Sequence, residues 1–100
     1  MAIELNRKPT EEEVEQICMA AEEAARTELF RNVSLKRVSD LDVTVEALGD
    51  KPLVLNVDLQ VELLLDDENL QTFVDKATDA AFSAAEMKVR ELNLCVATPT

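Results

Sequence analysis

Five carboxylates recur at alternate positions in the middle of the sequence, where they could act together. They are Asp40, Asp42, Glu46, Asp58 and Glu62. Alternate side chains of a strand share one face, and a hairpin centred on Asp50 would place Asp42 directly opposite Asp58. Carboxylates in this pattern have three possible interpretations. They could be oxygen ligands of a weak divalent-cation site, a docking face for a basic partner, or the solvated face of an acidic protein. The spacing does not resemble a calcium-binding loop.

Residue composition limits the chemistry that this chain of 100 residues can perform. It has no His, which excludes a histidine-based triad, proton shuttle or imidazole metal site. A single Gly excludes a glycine-rich phosphate loop, and three Phe without Trp or Tyr argue against base stacking. Acidic residues outnumber basic ones 21 to 10, and the net charge of -11 argues against direct binding to nucleic acid or an anionic membrane. We therefore expect a protein that is not an enzyme and has no cofactor and no metal site.

Three other polar or nucleophilic features have simple structural interpretations. Lys88 falls within an apolar helical stripe, where it is either a desolvated catalytic lysine or, as we expect, a residue whose stem packs on the core. Cys18 on a similar stripe is expected to be a buried small hydrophobic residue. Arg31, Lys36 and Arg37 form the one basic cluster, which is too small for a nucleic-acid footprint.

Three apolar residues lie away from the centres of the helical stripes that should face the core. Met19 and Phe30 are off the stripe of the first predicted helix, and Phe82 is at the margin of the second. Exposed Met and Phe are enriched at interfaces; the alternative is that Phe30 folds over the helix end and Met19 is a scattered surface residue. The candidate interface residues are therefore Met19, Phe30, Phe82, Asp42, Asp58 and Glu62.

The first long element is predicted to be a helix over residues 10–31. Thr10 and Glu13 have the spacing of a capping box, and three glutamates in the first turn complement the helix dipole. The apolar stripe has helical spacing and consists of Val14, Ile17, Cys18, Ala21, Ala25 and Leu29. Residues 1–8 are predicted to be either a loose arm or a short edge strand, because Ile3 and Leu5 alternate.

Two strands follow, because the apolar period changes from helical spacing to two. Leu41–Ala47 forms the first strand, which Val33 and Leu35 could extend backwards past a bulge. A turn at residues 48–52 leads into the second strand, Leu53–Leu65. Both strands have one apolar face and one charged face, which is typical of a half-buried antiparallel hairpin.

A second helix is predicted over residues 67–92, with Asp66 or Asp67 as its cap and Asn93 at its C-terminal end. The segment Leu94–Ala97 looks extended and could pair on the sheet edge. The order predicts an α+β two-layer sandwich, with two helices on one face of a small antiparallel sheet, in the order α-β-β-α with short terminal strands possible. Residues 10–97 would form one domain, preceded by an arm (1–9) and followed by a frayed tail (98–100).

The cysteines and the N-terminus indicate where such a domain would work. Cys18 and Cys95 are far apart in the sequence and form no metal or redox motif. Residues 1–5 lack the charged and apolar regions of a secretory signal, and no apolar run is long enough to span a membrane. We therefore expect a cytoplasmic protein with free thiols.

The order of these elements resembles a small archaeal family of proteins of unknown function. The resemblance covers roughly residues 10–96 and lies in the acidic capped helix, the two alternating strands and the Ala-rich run at residues 77–85 of the second helix. The portion from Val38 to Leu92 is also similar to the small dimerising subunit of the KEOPS complex. That complex makes threonylcarbamoyladenosine on transfer RNA, and a second archaeal subunit of similar size is paralogous to the dimerising one.

The KEOPS resemblance implies a non-catalytic protein that pairs its strands and a helix with a like subunit. The pairing surface would involve strand residues near Leu53–Leu65 and helix residues near Phe73–Phe82. The full N-terminal helix is a departure from the dimerising subunit. We therefore expect an accessory subunit that binds another protein, with a homodimer also possible. The alternative function is a small-molecule or divalent-cation binding domain that uses the acidic sheet face.

Overall fold

The computed structural model describes residues 2–49, 53–65 and 68–94, and has two long helices packed on one face of a three-stranded antiparallel sheet. In chain order the elements are β1 (Ala2–Ile3), α1 (Glu11–Asn32), a 3-10 turn (Leu35–Arg37), β2 (Val38–Leu48), β3 (Leu53–Leu63) and α2 (Leu70–Glu91). The sheet order is β1-β3-β2. The predicted α+β class and α-β-β-α order are confirmed, and the short N-terminal strand is β1.

The start of α1 has the predicted capping box. The Thr10 hydroxyl accepts a hydrogen bond from the Glu13 N–H, and the Glu13 carboxylate accepts one from the Thr10 N–H. The helix ends at Asn32, where the Val33 N–H donates to the Leu29 carbonyl. Val33 therefore closes α1, and Leu35 lies in the 3-10 turn, so the predicted backward extension of the strand through these two residues is wrong.

The start of α2 was predicted too early. The helix begins at Leu70, after a turn at residues 68–69, and Asn69 at its N-cap forms no side-chain capping bond. The caps proposed at residues 66 and 67 lie outside the described residues, as do residues 95–97 of the extended segment proposed at Leu94–Ala97. The C-terminal end agrees with the prediction, because Asn93 has the left-handed φ of 59°.

The two helices contact each other through small residues repeated every four positions. The buried residues of α1 are Ile17, Ala21, Ala25 and Leu29, and those of α2 are Ala77, Ala81, Ala85 and Val89. Alanine at these positions allows the backbones to approach closely, as ridges spaced four residues apart interdigitate. The segment before α1 contacts the residues after α2, since the Asn6 N–H donates to the Leu94 carbonyl at 2.8 Å. The beginning of α1 therefore lies beside the end of α2.

The N-terminal segment is held in place by Arg7. Its guanidinium forms two hydrogen bonds to the Glu13 carboxylate, at 2.8 and 2.7 Å, and a longer one to the Leu92 carbonyl at 3.4 Å. The Arg7 hydrogen bond and the Thr10 N–H lower the pKa of Glu13 to about 2. Together with the buried Leu5, this contact fixes the chain that leads from β1 into α1.

Both strands of the hairpin differ from the prediction at their open end, where β2 begins earlier than predicted and β3 also ends earlier. β2 begins at Val38, with an irregularity in pairing between Val38 and Asp40, and β3 ends at Leu63 instead of Leu65. The register also differs, because Asp42 pairs with Gln60 and Thr44 pairs with Asp58. The predicted direct opposition of Asp42 and Asp58 is therefore wrong. Gly49 has a positive φ of 77°, which is the left-handed conformation expected where β2 leads into the turn.

Candidate functional site

One edge of β3 is paired along only part of its length. On one side β3 pairs with β2 from Val54 to Leu63, whereas on the other side the described residues of β1 pair with Leu53 and Val54. Within residues 2–49, 53–65 and 68–94, no strand lies along this second edge between Asn56 and Leu63. We call residues 56–63 the open half of β3. Unpaired backbone groups on such an edge can form hydrogen bonds with a strand from another chain.

The same stretch of β3 is also less well covered by the helices. Leu53 and Leu55, at the start of the strand, are completely buried. The next residues on the same inner face are only half-buried; they are Val57, Leu59, Val61 and Leu63, which we call the half-covered row. The inner face of β3 is therefore partly open to solvent along the same residues that have no neighbouring strand on this side within the described part of the chain.

Exposed leucines lie at the end of the hairpin where this row finishes. Leu64 and Leu65 are 66% and 75% exposed, and Leu35 is 70% exposed. The Leu64 N–H donates to the Arg37 carbonyl at 2.9 Å, so the end of β3 is held beside the 3-10 turn that contains Leu35. Three leucines in succession (63–65) must expose at least one side chain at the end of an alternating strand, a signal that the sequence analysis did not use.

The candidate carboxylates lie together on the outer face of the sheet. Asp42, Asp58 and Glu62 are all exposed, and Glu62 is directly opposite Asp40. Like charges in direct opposition destabilise a strand pair by roughly 0.2–1 kcal/mol. Across the described part of the chain, no group of three or more His, Cys, Asp or Glu is arranged to hold a metal ion.

The candidate apolar residues on the helices do not form one continuous patch with the carboxylates on the outer face of the sheet. Met19 is 66% exposed and borders a shallow depression with Glu22, Glu23 and Arg26 on α1. Phe82 is half-buried and packs against the core, and Phe30 is also half-buried. The six candidate interface residues are therefore divided between the outer sheet face and the helical layer.

The other singled-out side chains have structural roles. The Lys88 ammonium lies 3.2 Å from the Glu91 carboxylate, and its side chain is 31% exposed, as expected for a stem that packs on the core. Arg31 forms a similar ion pair with Glu28 at 3.2 Å. Cys18 is half-buried, where full burial was predicted, because it lies at the edge of the α1 stripe; desolvation raises the pKa of its thiol.

The described residues include no buried polar or charged side chain and no helix long and apolar enough to cross a membrane. A groove of about 400 Å³ runs along the outer side of the two helices. It is lined by Ala20, Ala24, Thr27 and Ala80, by the exposed Glu23 and Arg31, and by the half-buried Glu28, whose carboxylate pairs with Arg31. The groove thus contains no desolvated acid, base or nucleophile, and the open half of β3 is the better candidate site.

Comparisons with known proteins identify relatives of this fold. The sequence pattern of a family described as "Protein of unknown function (DUF3194)" matches residues 6–88. The solution structure of the hypothetical protein mth677 from Methanothermobacter thermautotrophicus is similar, with 27% identity, a TM-score of 0.69, and coverage of 85% of this chain and 93% of that chain. A crystal structure from Thermococcus onnurineus NA1 shares the fold at 24% identity, with a TM-score of 0.72 and coverage of 91% and 88%. No curated protein matches the sequence.

Proposed function

The chain belongs to the DUF3194 family of proteins of unknown function, and we propose that it is a non-catalytic subunit that binds another protein through the open half of β3. The partner contributes a strand that pairs with residues 56–63 and apolar side chains that cover the half-covered row. This mode of recognition is β-strand addition, in which backbone hydrogen bonds give affinity and alternate side chains give specificity.

The observation that carries this proposal is the coincidence of two deficits on one stretch of chain. Among the described residues, no strand lies beside the open half of β3 on the side away from β2, and its inner-face residues are only half-buried. A strand added at this edge would remove both deficits, because its own inner-face side chains would lie beside Leu59 and Val61. Burial of apolar area contributes about 25 cal/mol per Å², so completing this row favours association.

The partner we propose is a small subunit of the same general kind, and the candidate is the dimerising subunit of the KEOPS complex. The order of the β2–β3 hairpin followed by α2 supports this choice, since this is the portion that is similar to the dimerising subunit. On this account the protein is an accessory subunit of the complex that makes threonylcarbamoyladenosine, and it affects transfer RNA only indirectly. Its net charge of -11 favours a protein partner over RNA.

Co-expression with the dimerising KEOPS subunit of the same organism tests the proposed function. We expect the two proteins to elute together in size-exclusion chromatography, with a light-scattering mass that equals the sum of the two chains. The isolated protein should show negligible affinity for transfer RNA at physiological salt. Separate elution at micromolar concentrations would contradict the KEOPS assignment, and tight, salt-sensitive binding of transfer RNA would contradict the argument from charge.

A further inference from the structure

The open half of β3 presents carboxylates to an incoming strand as well as backbone groups. Asp58 and Glu62 point to the outer face, alternating with the uncharged Asn56 and Gln60. A side chain on an added strand would lie about 4.5–5.5 Å from its counterpart on β3, measured between Cβ atoms. Neither β2 nor β3 contains Lys or Arg, so neither strand neutralises these charges.

Pairing of β3 with β3 of a second copy brings like charges together. In a two-fold antiparallel arrangement, the apolar residues of both copies share the inner face only if odd-numbered residues pair with odd-numbered ones. The two-fold axis of such a pair could pass beside any β3 residue from Val57 to Val61. In each of these registers, Asp58 of one copy lies directly opposite or diagonally across from Asp58 or Glu62 of the other copy. Shifting the two β3 strands relative to each other within this range therefore does not remove the repulsion between their carboxylates.

We propose that Asp58 and Glu62 make this edge selective for a strand that has Lys or Arg at its outward positions, and that they disfavour homodimerisation through β3. This inference deepens the proposed function, because it takes the open half of β3 as the pairing surface. It defines the partner by chemistry: apolar side chains on one face of its strand and basic side chains on the other. Complementary charges at such a contact give specificity and suppress incorrect partners.

The selectivity can be tested with this chain alone. The double variant D58K/E62K converts the outward positions from acidic to basic, so it should bind the unmodified protein, with lysines facing carboxylates. In fluorescence-detected sedimentation, we expect the mixture to associate at least about tenfold more tightly than either protein does with itself. The difference should shrink in high salt, because exposed charge pairs are screened.

The variant D40K/D42K is the matched control. It makes the same change in net charge on the same outer face, but on β2, the strand at the opposite edge of the sheet from the open half of β3. We expect its mixture with the unmodified protein to show no comparable gain. The inference is overturned if the D58K/E62K mixture binds no more tightly than the single proteins, or if the control mixture gains as much.

These outcomes are separate from those of the proposed function. A KEOPS subunit that binds D58K/E62K as tightly as the unmodified protein would overturn the charge selectivity and leave the proposed function intact. Failure of that subunit to bind, together with the expected gain in the D58K/E62K mixture, would remove the KEOPS assignment and leave the selectivity of the edge standing.

Discussion

Replacing Leu59 and Val61 together with serine is expected to weaken binding to the partner subunit by about 30-fold. Full burial of a Leu or Val side chain is worth about 1.5–3 kcal/mol, and both residues are already half-buried in the free protein. The partner would therefore bury the remaining half, so their loss should cost about 2 kcal/mol of binding free energy. Isothermal titration calorimetry with the proposed partner, the dimerising KEOPS subunit, would measure the change.

The chain offers a closely matched control on the neighbouring strand. Leu41 and Val45 are also half-buried on the inner face, but they belong to β2 and lie further from the open half of β3. The L41S/V45S variant removes the same side-chain types, so it should show a similar loss of stability and a much smaller loss of affinity. Equal losses of affinity in the two double variants would place the contact elsewhere than on β3.

Replacing Leu55 with aspartate is expected to unfold the protein or to lower its free energy of unfolding by more than about 4 kcal/mol. Leu55 is completely buried at the start of β3, where it pairs with Ala47, so the substitution removes apolar contacts and buries an unpaired carboxylate. Since domains of this size are stable by only about 5–15 kcal/mol, most of the folded population is lost. Urea denaturation followed by circular dichroism would measure the effect.

Asn56→Asp provides the control for added charge. It introduces the same carboxylate one residue further along the strand, on the exposed outer face opposite Glu46. The cost should stay below about 1 kcal/mol, which is the usual limit for like charges across a strand pair. If Leu55→Asp were as stable as Asn56→Asp, the inner and outer faces of the sheet would be wrongly assigned.

Features that depend on local sequence could be predicted well. The capping box at Thr10 and Glu13 involves contacts three residues apart, and the alternation in β2 and β3 determines which face is apolar. The start of α2 was missed because several acidic residues in succession provide equivalent caps on sequence grounds. The hairpin register was missed because the turn chemistry around Gly49 is compatible with more than one pairing.

The candidate site could be predicted only in part. The sequence indicated strand residues near Leu53–Leu65 as a pairing surface through the KEOPS resemblance, and Asp58 and Glu62 by their parity. It could not show that the described residues of β1 pair with Leu53 and Val54, or that helical cover decreases beyond Leu55. Both properties depend on where distant segments lie in space. Met19, Phe30 and Phe82, which were chosen by helical azimuth alone, do not join this surface.

Amide hydrogen exchange in the complex tests the central claim most directly. Backbone N–H groups at an unpaired strand edge exchange readily, whereas those in a sheet ladder are protected. Within residues 56–63, some backbone N–H groups point towards the open edge of β3 and away from β2. We predict that their exchange slows markedly when the dimerising KEOPS subunit binds. The amides of β2, at the opposite edge of the sheet, should change little. New protection confined to β2 or to the outer faces of α1 and α2, with residues 56–63 unchanged, would contradict the account.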